Sequence, residues 1–134
     1  MGARRKAREM VLQGLYTADL LNGWEQDPDE LLIEEPGSAQ SLPFARSLLE
    51  GVLQNRSDLD RRIEDCASHW KLQRMNIVDR NILRLGAFEL LHRDDIPTRV
   101  SINEAVELAK VYGDRETAAF LNGVLDRIAR TVRG

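Results

Sequence analysis

"IVDRNILRLGAFELLHRDDIPTRVSINEAVELAKVYG", residues 77–113, decides the fold class. Between Ile77 and His92 the apolar residues are dense: Val78, Ile82, Leu83, Leu85, Phe88, Leu90 and Leu91. They recur at helical spacing and cover more than one face, which predicts a central helix buried on several sides. Pro97 ends it. "SINE", Ser101–Glu104, then has the form of a capping box. In that motif the serine oxygen accepts from the glutamate N–H while the glutamate reaches back to the serine N–H. A second helix is expected from there, with Ile102, Ala105, Val106, Ala109 and Tyr112 on its apolar face and Gly113 as a left-handed stop.

The same spacing extends in both directions. Ala7, Met10, Val11, Leu15 and Ala18 form one stripe near the start, and Leu121, Val124, Leu125, Ile128 and Val132 form another near the end. Phe44, Leu48, Leu49, Val52, Leu59, Ile63, Cys66 and Ala67 continue the pattern between Ser41 and Trp70, with Ser57 and Asp60 marking a helix restart. "WEQDPDELLIEEPGS", residues 24–38, holds six acids and no base and is loop-like, although Asp27 before Pro28 can cap a short turn. Nothing alternates for long enough to make a strand. The expectation is an all-α compact bundle of about six or seven helices. At 134 residues it forms one domain or two small helical lobes sharing a core.

Composition removes several function classes. A single cysteine, Cys66, excludes an internal disulfide framework and points to a reducing cytoplasm. Apolar runs fall short of the roughly 20 residues of a membrane span. The basic start is followed by Glu9, Gln13 and Asp19, not by a signal-peptide core. His69 and His92 lack partners at metal-ligand spacing and read as satisfied or exposed histidines. Cys66 reads as a small packing residue, and Asp94–Asp95 as a solvated turn. The glycines are scattered, with no phosphate-cradling loop. No catalytic residue, metal or cofactor is expected.

Charge is distributed unevenly. The chain carries 19 Lys+Arg and 22 Asp+Glu, yet "ARRKARE", residues 3–9, places Arg4, Arg5, Lys6 and Arg8 within five positions. On a helix Arg4 and Arg8 are neighbours, as are Arg5 and Arg8. Cations at a helix N-terminus oppose the macrodipole, and an external anion relieves that opposition. A solvated tail is the plain alternative. Nucleic acid and anionic lipid both suit the patch, so charge alone does not choose a partner.

The second half of the chain chooses. "ILRLGAFELL" (82–91), "IPTRVSINEAVELAKVYG" (96–113) and "FLNGVLD" (120–126), in that order and spacing, closely resemble the NusB family of bacterial transcription antitermination factors. "ARRKARE" followed by "GLY" (14–16) resembles the family's arginine-rich start and first helix. Only about residues 22–42 fall outside the likeness. Each piece also has a structural reading: "NEAVELAK" is an apolar-faced helix, and Asn122–Gly123 lets another helix approach closely.

The resemblance implies that residues 1–134 form a single NusB-like RNA-binding domain. Its implied partners are the boxA RNA of ribosomal-RNA leaders, the small-subunit ribosomal protein NusE, and the antitermination complex on RNA polymerase. No catalytic step, cofactor or membrane is involved. By the same resemblance Arg4, Arg5, Lys6 and Arg8 contact RNA, with Gln13 one turn on and Phe120 stacking on a base. For Phe120 a core position is the equal alternative. Glu116 nearby would repel phosphate. Tyr16 and Asp79 match positions that contact NusE, Asp79 being shorter than the family's usual glutamate. Arg80 and Arg84 could extend either surface. A protein–protein adaptor, or a homodimer that masks the RNA face, is the other reading.

Overall fold

A computed structural model describes residues 2–68 and 70–133. The expectation for His69 lies outside the described residues. Among the described residues six α-helices follow one another: α1 (Ala3–Leu21), α2 (Pro28–Leu31), α3 (Leu42–Cys66), α4 (Ile77–His92), α5 (Thr98–Tyr112) and α6 (Ala118–Arg133). Single 3-10 turns at Leu72–Arg74 and Arg115–Thr117 lead into α4 and α6, and no strand occurs among the described residues. The all-α bundle is as the apolar spacing requires.

The helix α4 is the axis. It packs against α1, α3, α5 and α6, and every residue from Asn81 to Leu90 is buried. Asn76 caps its start, the side-chain oxygen accepting from the Asp79 N–H at 2.8 Å. Asp27 caps α2 in the same way, accepting from the Asp29 N–H at 2.9 Å. Arg80, Arg84 and Glu89 of α4 are paired with opposite charges, because a lone buried charge would have to give up its hydration without return. Buried Asp79 is held instead by the neutral side chains of Asn76 and Thr117. Arg84 bonds Asp60 and Asp19, and Glu89 bonds Arg8 and Ser101.

Four local expectations need correction. The helix α5 begins at Thr98, not at Ser101: Pro97 presets the first turn, and its carbonyl accepts from both Val100 and Ser101. Ser101 is therefore a buried first-turn residue that donates to Glu89, and Glu104 turns to Arg5 of α1. There is no restart at Ser57, since α3 runs unbroken for 25 residues and Asp60 is used laterally by Arg56 and Arg84. Gly113 is not left-handed, with φ −101°. It is needed because a methyl group there would overlap Asp79 Oδ1. Gly123 faces open space among the described residues, where a side chain would meet nothing. The close helix contact falls instead at Gly51 on α3, where the tip of the Phe88 ring of α4 occupies the place a side chain would take.

Candidate nucleic-acid interface

The four cations at the start of α1 meet different fates. The first turn has no acidic residue and no side-chain cap, so the helix dipole and the cations add. Arg4 is exposed and lies over the Phe44 ring, 4.4 Å from its centroid. Arg5 is exposed and pairs with Glu104, Nη2 to Oε2 at 2.6 Å. That guanidinium holds the Glu104 carboxyl below its ordinary pKa. Lys6 Nζ donates to Glu35 Oε2 at 2.7 Å, and this hydrogen bond raises the Lys6 pKa.

Arg8 is only 3% exposed. Its Nε and Nη2 donate to the two oxygens of Glu89, both at 2.8 Å, and Ser101 Oγ donates to Glu89 Oε1 at 2.8 Å. The guanidinium that stood beside Arg4 in sequence is thus an internal bolt between α1 and α4, with no free face for a phosphate. Arg80 and Arg84 are turned inward as well, onto Asp19 and Asp60, and extend neither surface. Burial works against ionised Asp19, but hydrogen bonds from Arg80, Arg84 and Asn81 outweigh it and lower its pKa.

Along α1, Lys6, Gln13 and Tyr16 line one groove of about 570 Å³, together with Val78, Ile33 and Tyr112. Tyr16 is 40% exposed and also borders an adjoining hollow with Asn76, Gly113 and Asp114. Asp79 does not join it. The carboxylate is 4% exposed, and its Oδ2 accepts from Asn76 Nδ2 at 2.7 Å and Thr117 Oγ1 at 3.0 Å. Asp79 therefore clasps the start of α4 to the turn before α6, and it lines the groove of Phe120 instead of the groove of Tyr16.

Phe120 is half-buried, with its ring edge-on to Trp70 at 5.9 Å. Two aromatic residues were not apparent as site residues from sequence. Phe44 reads as one more member of an apolar stripe, yet Arg4, Arg8 and Arg93 all lie against its ring. Trp70 follows the end of the α3 pattern, where an indole among polar residues is the only signal. Among the described residues no cluster of three His, Cys, Asp or Glu could hold a metal ion. No described helix is long and apolar enough to cross a membrane.

Comparison with known proteins extends this picture. The family model described as "NusB family" matches residues 5–130. The transcription antitermination protein NusB of Myxococcus xanthus (strain DK1622) is 47% identical over 137 residues, covering 96% of each chain. That of Geobacter sulfurreducens is 46% identical, covering 98% of this chain and 97% of the relative. The solved structure of T. maritima NusB superposes with a TM-score of 0.85 at 37% identity, covering 95% of this chain and 90% of that one. A structure of antitermination factors NusB and NusE in complex with double-stranded RNA matches with a TM-score of 0.80 at 26% identity, covering 96% and 97% of the two chains.

Proposed function

The chain belongs to the NusB family, and from that premise we propose how it serves as a transcription antitermination factor. It binds the boxA RNA of ribosomal-RNA leaders together with NusE, as part of the antitermination complex on RNA polymerase. Residues 1–134 act as one RNA-binding domain in the cytoplasm, and the function has no catalytic step. One observation carries this reading: three surface cations, Arg4, Arg5 and Lys6, stand at an uncapped helix N-terminus, and Lys6 runs on into the groove of Gln13 and Tyr16.

The cations act on the RNA backbone. Guanidinium forks pair with phosphate oxygens in a plane, and the α1 dipole adds to their field. Arg8 has a different duty, fixing the angle of α1 on α4 so that its neighbours point outward. Gln13 offers an amide to a base edge, and Phe120 offers a ring face. Tyr16 supplies a ring and a hydroxyl for NusE, a combination common at protein interfaces. Asp79 supports that surface from behind, through Asn76.

Titration of a boxA RNA and a scrambled RNA of equal length, each with and without NusE, tests the proposal. Preference for boxA that strengthens with NusE is expected. Equal affinity for the two RNAs under both conditions would reduce the basic run to a solvated patch.

A further inference from the structure

We propose that Trp70 is a base-stacking residue, forming with Phe120 an open aromatic cleft for one unpaired nucleobase of the bound RNA. The inference rests on the RNA-binding reading and carries it to a residue well away from the cationic helix end.

Trp70 is 55% exposed, a large apolar ring left mostly in water. It is not on a loose strand of chain. Its N–H donates to the Ala67 carbonyl at 3.2 Å, and two residues on the Leu72 N–H donates to Glu64 Oε2 at 3.0 Å. The backbone is therefore tied on both sides of the indole. Phe120 meets the ring edge-on at an interplanar angle of 62°, so the pair forms a wedge and not a closed stack. An offset or edge-to-face third ring suits such a wedge, and every nucleobase has a flat π-face to supply one.

The rim sets the chemistry. Arg74, Asn76, Glu116 and Thr117 surround the two rings in a groove of about 430 Å³. Asn76 and Thr117 are both committed to Asp79, which stiffens the floor. Glu116 repels a phosphate from the cleft, while exposed Arg74 attracts one beside it. A neutral ring inside with its phosphate outside matches that division of charge. Asp79 at this cleft and Glu89 beneath Arg8 stand ten positions apart on α4, about 15 Å along its axis. One strand would then be held by phosphates at one end and by a base at the other.

The test compares wild type, Trp70→Ala and Trp70→Phe in titrations of boxA and scrambled RNA over a range of salt, and in a separate titration of NusE. Trp70→Ala is expected to weaken boxA binding about 5- to 150-fold, the range for one lost base–aromatic stack. The slope of log K against log salt should not change, because no phosphate contact is removed. Trp70→Phe should keep most of the affinity. Unaltered binding by Trp70→Ala overturns the proposal, as does a loss that appears only in NusE binding, which would make the cleft a protein contact. If Trp70→Ala does not fold, Trp24→Phe leaves Trp70 as the sole indole of the chain. Its emission should be quenched by saturating boxA RNA, and unchanged emission overturns the proposal. A wild type that does not distinguish boxA from scrambled RNA would sink the parent reading and this one together, an outcome separable from all the others.

Discussion

Arg8 and Glu89 face each other where neither has access to water. Their paired hydrogen bonds and the Ser101 hydroxyl compensate for lost hydration, and the Phe44 ring lies against the guanidinium. Removing one charge strands the other. Arg8→Met is expected to destabilise the protein by about 3–5 kcal/mol, and Arg8→Met with Glu89→Met to recover much of that loss. Ser101→Ala removes one hydrogen bond to a charged group and ranks below it, at about 1.5–3 kcal/mol. Urea unfolding measures all three. A single Arg8→Met variant within about 1 kcal/mol of wild type would show that water reaches the pair. Arg5 and Lys6 pair on the surface, where water screens them, and a phosphate can take the place of their carboxylates.

At the scale of an element, the start of α1 gathers surface cations and its end gathers a buried anion. Replacing Arg4, Arg5 and Lys6 together with Gln should weaken boxA binding. It should also flatten the log K–log salt slope by roughly 0.7 for each phosphate released, about 2 for three contacts. A variant with wild-type slope would mean that these side chains touch bases or nothing. Asp19, near the other end of α1, has a folded pKa below its ordinary value of 3.8. Its ionised form therefore stabilises the fold above that value, and the contribution is lost as pH falls through the folded pKa. The stability difference between wild type and Asp19→Asn should be full at neutral pH and shrink below pH 3.8. A difference that is constant down to acid unfolding would contradict the assignment. The helices themselves were legible in the sequence because apolar spacing is local information, and the resemblance ran through the same core residues. Contacts across the fold were not. Arg8 looks like Arg4 and Arg5 until Glu89, 81 residues away, is placed against it. Asp79 looks like a surface acid until the turn at Thr117 closes over it. Ser101 fits a cap by pattern, and only the backbone set by Pro97 moves it into the first turn.

Across the whole molecule, α4 separates two working ends, with cations at its C-terminal end and the Trp70–Phe120 pair at its N-terminal end. The net charge of −3 is spread so that acids stand next to the cations they temper. Glu35 and Glu104 are bound to the same scaffold as Lys6 and Arg5, so their local concentration is far above that of any free anion, in the millimolar range or higher. This has a consequence in time. Whenever a phosphate lifts momentarily, a tethered carboxylate can take its place before the phosphate returns. Departure of the RNA then proceeds as a run of small exchanges instead of one escape. Glu35→Gln with Glu104→Gln should accordingly lengthen the residence time of boxA RNA, read as slower dissociation after dilution into unlabelled competitor. Equal dissociation rates in variant and wild type would show that the carboxylates only rest on the cations and take no part in release. By this reasoning the acids beside the cationic helix end keep the complex short-lived, so that a factor that holds its RNA can also let it go.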